Sequence, residues 1–219
     1  MNDRSKPLSG NARDLSPVVL VVDDDQSMRS ALENLFQSVG LDVLTFSSAS
    51  ELTSRGLPNA VSCLVLDVRL PGLLSGLDLQ AELAKAGVRI PIILMTSHGD
   101  IPMSVSAMKA GAVDFLTKPV RREALLRAVQ NALGVDAQGR AARAVLRELQ
   151  NRYENLTPRE REVLVHVVSG KLNKQIAFDL GTAERTIKAH RASIMEKLGV
   201  QSIAELVRVA QELGIQPIR

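Results

Sequence analysis

The chain has 219 residues, 45% of them hydrophobic and 23% charged, with 27 Lys+Arg against 24 Asp+Glu and a formal net charge of +3. That is the composition of an ordinary soluble globular protein, long enough for one large domain or two small ones. The single cysteine, Cys63, excludes a disulfide within the chain; its place in the apolar run 61–66 reads as a buried, inert thiol. No apolar segment approaches the roughly 20 residues of a membrane helix, so no membrane association is expected. Residues 1–16 are polar and lack the apolar core of a signal peptide, which reads as a flexible tail on a cytoplasmic protein.

Charge is unevenly placed. Residues 1–134 carry 13 Lys+Arg against 14 Asp+Glu, a balance of −1, and residues 135–219 carry 14 against 10, a balance of +4. A polyanion contact confined to the C-terminal part follows from that split.

From residue 17 to 133 strand and helix patterns alternate. Strand-length apolar runs fall at 18–22, 42–46, 61–66, 91–96 and 113–116, and helical patterns at 26–39, 49–55, 77–86, 101–110 and 121–133. Ser48 with Glu51 spells a capping box, and Asp100 is placed to cap the helix after it. Five such units imply an α/β, doubly wound, five-stranded parallel sheet. Gly, Asp and Gln at 134–139 break the pattern and read as a domain boundary. A connector helix then resumes at 140–156, with apolar residues at Ala142, Val145, Leu149, Tyr153 and Leu156, and is expected to pack on one of the domains. Beyond Thr157 there are no strand signals. Thr157-Pro158-Arg159-Glu160 combines an N-cap, a proline at the first helical position and a capping-box glutamate. Helices at 158–169, 173–180, 183–197 and 202–213 make a small all-α domain. The division is a tail at 1–16, a domain at 17–134, a linker helix at 135–153 and a second domain at 154–219.

Four polar residues or pairs close the apolar runs: Asp23-Asp24, Asp67, Thr96 and Lys118-Pro119. In an open α/β sheet the carboxyl ends of the strands share one edge, where ligands bind. Three carboxylates, a hydroxyl and an ammonium at one crevice suit a divalent cation beside a phosphoryl group, which leaves hydrolase and phosphotransfer chemistry open. Mg²⁺ prefers one or two protein carboxylates while keeping several waters. Asp24 and Asp67 suit direct ligation, Asp23 acts through water, and the Arg69 backbone carbonyl offers a further oxygen. Lys118 can neutralise phosphoryl oxygens and Thr96 can donate to one.

These residues sit in stretches that resemble the receiver domain of bacterial two-component response regulators: Val21-Val22-Asp23-Asp24-Asp25, Leu66-Asp67-Val68-Arg69-Leu70-Pro71-Gly72, Met95-Thr96-Ser97-His98-Gly99-Asp100 and the run KAGAVDFLTKP at 109–119. The resemblance covers about 17–134 and implies a flavodoxin-like receiver fold. It also implies that Asp67 accepts phosphate from a sensor histidine kinase, that Lys118-Pro119 is cis, and that Thr96 and Phe115 move together. The same resemblance implies that this movement, when phosphate arrives, remodels the surface of the fourth helix, fifth strand and fifth helix. Haloacid-dehalogenase-type phosphatases also use an aspartate after a strand, but their acid catalyst is an Asp two positions on, where this chain has Arg69. Two features depart from the receiver pattern: the loop 72–76 is one residue longer, and Val120 stands where phenylalanine is common.

In the C-terminal part Ala177, Gly181 and Ile187 have helix-turn-helix spacing. A small residue allows helix approach, glycine permits a left-handed turn and an aliphatic residue buries the second helix. Thr182 is the expected N-cap of that helix, with Glu184 in its first turn. Residues 171–197 hold six Lys+Arg against three acids. With LTPRERE at 156–162, Asn173-Lys174-Gln175-Ile176-Ala177 and Thr186-Ile187-Lys188-Ala189-His190-Arg191, the segment 154–213 resembles the LuxR-type DNA-binding domain. Paired with a receiver and with His98-Gly99-Asp100-Ile101-Pro102-Met103, it resembles the FixJ-like subgroup. The resemblance implies a recognition helix in the major groove of double-stranded DNA, with Lys188 and Ala189 at base edges. Asn173, Lys174, Arg185, Thr186, Arg191 and Lys197 are placed for phosphates. With no Trp and one Tyr, stacking platforms for single-stranded RNA are lacking.

The function expected is phosphorylation-dependent transcriptional regulation, with Mg²⁺ as cofactor and with a sensor histidine kinase, double-stranded DNA, a second copy of the chain and RNA polymerase as partners. It is not expected to be an enzyme turning over a separate substrate. A receiver-based adaptor working by protein contacts alone is the alternative.

Overall fold

The computed structural model describes residues 16–70, 74–97 and 101–218. The expected tail, the Pro71-Gly72-Leu73 part of the lengthened loop, and His98, Gly99 and the Asp100 cap lie outside the described residues. The chain divides into two units, Met1–Arg140 and Ala141–Arg219.

In the first unit β1 (Val18–Val22), α1 (Gln26–Gln37), β2 (Asp42–Phe46), α2 (Ala49–Arg55), β3 (Ser62–Asp67), α3 (Gly76–Lys85), β4 (Ile92–Thr96), α4 (Ile101–Lys109), β5 (Asp114–Thr117) and the start of α5 (Arg122–Glu154) alternate. The strands form one parallel sheet in the order β2-β1-β3-β4-β5. The central strands carry continuous apolar runs, closed by polar residues at their ends, because both faces of the sheet are covered. Val19, Val21, Cys63, Val65, Ile93 and Met95 pack on Leu32 and Phe36 of α1 and Leu125, Val129 and Ala132 of α5. Leu20, Val22, Leu64, Leu66, Ile92 and Leu94 face Leu52 of α2, Leu79 of α3 and Ala107 of α4. Cys63 is fully buried, and burial, with the Asp136 carboxylate nearby, pushes its thiol pKa up to about 12, which keeps it inert.

The helix starts are locally encoded, with one correction. Ser48 caps α2 by accepting from the Glu51 amide, but the Glu51 carboxylate turns to the amide and hydroxyl of Ser47 at 2.7 and 2.8 Å, so only half of the expected capping box forms at Ser48. Ser75 and Asp78 close a full box on α3.

The expected break at 134–139 does not occur: α5 runs unbroken from Arg122 to Glu154. Glycine costs a helix interior about 1 kcal/mol against alanine, and tertiary bonds offset that cost. Asp136 is buried, accepts from the Ser62 amide at 2.9 Å, and is paired with Arg140 Nε at 2.6 Å. The carboxylate satisfies a donor at the start of β3 while Arg140 neutralises it. A Cβ at Gly134 would meet nothing within 4 Å. Gly134→Ala is therefore expected to raise stability by about 0.5–1 kcal/mol, read as a higher urea midpoint.

The second unit holds α6 (Pro158–Val168), α7 (Asn173–Asp179), α8 (Glu184–Leu198) and α9 (Ile203–Glu212). Its core is Leu156, Val163, Leu164, Val167, Ile176, Ala177, Ile187, Ile194, Leu198, Leu206 and Val209, with Leu149 and Tyr153 of α5 packed against it. Thr157 makes the expected capping box with Glu160. Gly181 takes φ +61°, the left-handed turn its spacing implies. The N-cap of α8 is Ala183 rather than Thr182 and makes no side-chain cap bond. The Thr182 amide instead closes the end of α7 on the Ala177 carbonyl at 2.9 Å, so the turn takes one more residue. Among the described residues no helix is long and apolar enough to cross a membrane.

Candidate functional site

The strand order places its topological switch between β1 and β3, where a doubly wound sheet opens a crevice. Asp23 and Asp24 follow β1 and Asp67 ends β3. Each offers a carboxylate oxygen within 4.8 Å of the others. Asp23 and Asp67 are buried and Asp24 is exposed. A cleft of about 560 Å³ lined by Asp23, Asp24, Asp25, Met28, Asp67, Arg69, Ser97, Lys118 and Pro119 opens over them. Arg69, whose backbone carbonyl is the oxygen of interest, is among the residues lining it. Ser97 lines it, whereas Thr96 is fully buried at the end of β4, its carbonyl accepting the Lys118 amide at 2.7 Å.

Lys118 bridges the two buried carboxylates, 2.7 Å from Asp23 Oδ2 and 2.5 Å from Asp67 Oδ2. Burial alone would lower the Lys118 pKa, but its bonds to Asp23 and Asp67 hold it above the usual lysine value. The Lys118-Pro119 peptide is cis. Asp67 Oδ1 accepts from the Arg69 amide at 2.8 Å and Asp23 Oδ1 from the Asp25 amide at 3.0 Å, so both carboxylates are fixed in rotation. Phe115, half-buried in β5, pairs in register with Leu94 and packs on the α2–α4 side of the sheet.

Three residues that sequence reasoning missed also shape the cleft. Asp25 caps α1 by accepting from the Ser27 amide at 2.8 Å. Arg29 Nη1 donates to the Asp23 and Asp24 carbonyls at 2.7 and 2.8 Å, pinning the acidic loop from behind. Gly76 begins α3 against the end of β3: its amide reaches the Val68 carbonyl at 2.9 Å, and a Cβ there would overlap the Asp67 carbonyl oxygen and stand 3.0 Å from Val68 Cα. Backbone on both sides cannot rotate away. Gly76→Ala is expected to destabilise the first unit by about 1–3 kcal/mol. By moving Asp67 it should also slow acetyl-phosphate labelling about tenfold or more, measured as initial rate on folded protein.

On α8 the side chains of Arg185, Thr186, Lys188 and Ala189 are all exposed, so the predicted contacts share one solvent face. Lys188 has only an exposed pair, 3.5 Å from Glu184, which is weak. Asn173 and Arg191 meet each other at 2.7 Å. Lys174 is exposed on α7. The Lys197 ammonium, one-third exposed, is held 2.7 Å from the buried Glu160 carboxylate, which ties it to the domain core. Much of the basic excess is likewise engaged internally, as Arg140–Asp136, Lys171–Asp179 and Arg159–Glu162 show.

Two families match the chain: the response regulator receiver domain over residues 19–130 and the bacterial regulatory proteins of the luxR family over 154–210. The chain belongs to the response regulators that join a receiver domain to a LuxR-type DNA-binding domain. It is 52% identical over 198 residues to nodulation protein W of Bradyrhizobium diazoefficiens, covering 90% of this chain and 87% of that protein. It is 43% identical over 199 residues to the transcriptional regulatory protein FixJ of Azorhizobium caulinodans, covering 91% and 94%. The structure of the response regulator StyR superposes with a TM-score of 0.82 at 47% identity, over 90% of this chain and 99% of that one. The protein is a two-component transcriptional regulator of the FixJ-like group; the adaptor alternative, which dispenses with DNA binding, is not supported.

Proposed function

We propose that Asp67 is the phospho-acceptor and that its phosphorylation by a sensor histidine kinase switches DNA binding by α8. The observation that carries this reading is the convergence of Asp23, Asp24 and Asp67 within 4.8 Å, with Lys118 bonded to two of them. One Asp67 carboxylate oxygen attacks phosphorus, the phosphorus–nitrogen bond of the phosphohistidine breaks, and the imidazole leaves with the electron pair and is protonated. An acyl phosphate remains. An aspartate is a weak nucleophile and the approaching phosphoryl group is also anionic, so catalysis here is charge neutralisation and positioning.

The donor set is all hard oxygen, which fits Mg²⁺. Asp24 and Asp67 would hold it with the Arg69 backbone carbonyl, and Asp23 through water. Bound there, it offsets repulsion between carboxylates and phosphoryl oxygens. The Lys118 ammonium exchanges its ion pair with Asp67 for one with a phosphoryl oxygen, and the Thr96 hydroxyl turns to another. Movement of Thr96 releases space that Phe115 takes, which alters the face formed by α4, β5 and α5. Two copies then associate through that face and place paired recognition helices on a two-fold site, where RNA polymerase is engaged. The protein works in the cytoplasm and turns over no separate substrate.

On DNA, Lys188 reads guanine acceptors and Ala189 a thymine methyl, while Asn173, Lys174, Arg185, Thr186 and Arg191 hold phosphates. Lys197 is withdrawn from that set by its bond to Glu160. Lys188→Ala is expected to cost about 1–3 kcal/mol at the base it reads and little elsewhere. Equal loss on every duplex in a competition assay would make Lys188 a phosphate contact instead.

A further inference from the structure

The last turns of α5 lie in the second unit and are bound to it by three groups. Leu149 and Tyr153 pack on the core. Arg161 lies 5.0 Å over the Tyr153 ring and donates to the Glu154 carbonyl at 2.9 Å. Arg152 is held by Glu148 through Nε at 2.9 Å, and its Nη1 reaches the Leu198 carbonyl at 3.4 Å. Leu198 is the last residue of α8. The helix stops at Gly199, φ +69°, and a Cβ there would come within 2.5 Å of Arg152 Nη1. The glycine therefore serves both the left-handed stop and the space the guanidinium needs. A cation on the unsatisfied carbonyls of a helix C-terminus is favourable.

We propose that Arg152 is a positioning residue for DNA recognition: it fixes the C-terminal end of α8 and so the angle at which the far end of that helix meets base edges. It does not itself touch DNA. Arg185–Ala189 lie in the N-terminal half of α8, and at 1.5 Å per residue the 15-residue helix is about 22 Å long. Small tilts at one end are thus displacements at the other. The proposal rests on α8 being the reading element.

The test uses the full chain treated with acetyl phosphate, a randomised duplex pool for sequence enrichment, and one fixed mixed-sequence duplex for the salt dependence of affinity. Arg152→Ala is expected to lower enrichment about threefold to fivefold while leaving the salt slope unchanged, since no phosphate contact is lost. Arg152→Lys, which keeps a cation at the helix end, should recover more than half of it. Where the alanine variant melts below the assay temperature, Arg152→Gln is read instead, with about twofold loss expected. A salt slope reduced by about 1 would make Arg152 a phosphate contact, and enrichment equal to wild type would remove any positioning role; either overturns the proposal. Absence of enrichment by the wild-type chain would instead strike the reading of α8.

Discussion

Asp67→Asn is expected to abolish acetyl-phosphate labelling entirely while leaving the fold intact. The reacting oxygen is lost, and amide nitrogen cannot form the acyl phosphate. Asn keeps the side-chain volume in the buried end of β3 and can still accept from the Arg69 amide, which now bonds Asp67 Oδ1 at 2.8 Å. Lys118 retains Asp23 at 2.7 Å, so its ammonium is not orphaned. Removing one of three crowded carboxylates also relieves repulsion, and the variant should unfold at the same urea concentration as wild type or slightly above it. Intact-mass spectra before and after acetyl phosphate give the result directly. A phosphoryl adduct persisting on the Asn variant would move the acceptor elsewhere.

The second large effect is expected in the other unit. Glu160 is 4% exposed and its carboxylate gathers three donors, the Thr157 amide at 2.8 Å, Ser193 Oγ at 2.7 Å and Lys197 Nζ at 2.7 Å, while its own amide donates to the Thr157 hydroxyl at 3.2 Å. Burial opposes its ionisation, but the bonds from Lys197, Ser193 and Thr157 outweigh this and lower its pKa from 4.5 to about 2. Glu160→Ala leaves the Ser193 hydroxyl and the Lys197 ammonium without their acceptor. Lys197 is one-third exposed and can partly rehydrate, so the loss is set at about 2–3 kcal/mol, below the cost of breaking a wholly buried pair. That is about 10 °C or more in the melting temperature of a unit this size. The pH dependence has a definite sign. A carboxylate whose folded pKa lies below its unfolded value contributes fully above about 4.5, and the contribution disappears as pH falls towards 2. Wild-type stability should fall across that window, and Glu160→Gln should flatten the fall. A Gln variant with the wild-type slope would place the acid sensitivity in other groups.

The strand-end acids were legible in the sequence because each closes an apolar run, and the parallel sheet follows from five such runs. Both are local signals, carried by neighbours within a few residues. What was not legible depends on partners far along the chain. Asp136 keeps α5 continuous through a bond to Ser62, 74 positions away, while composition at 134–139 argues for a break. The bond that ties Lys197 to Glu160, 37 positions away, is equally invisible to local pattern. The role of Gly76 was hidden because its neighbour is the Asp67 backbone, which no side-chain pattern records. Charge counting is blind to partners in the same way. The C-terminal excess of basic residues pointed to a polyanion contact in that part of the chain, but not to which of them are bonded within it: Arg152 and Arg159 donate to helix-end carbonyls at Leu198 and Leu180. Within the helix-turn-helix itself the exposed basic side chains are Lys174 on α7 and Arg185 and Lys188 on α8.

Footprinting of genomic DNA by the wild-type chain and Asp67→Asn, each with and without Mg²⁺ and acetyl phosphate, tests the central claim most directly. Phosphorylation at Asp67 as the switch predicts two-fold-related protected sites that appear or tighten with acetyl phosphate in the wild type and do not respond in the variant. Equal protection with and without acetyl phosphate in the wild type, or an equal response in Asp67→Asn, would contradict it.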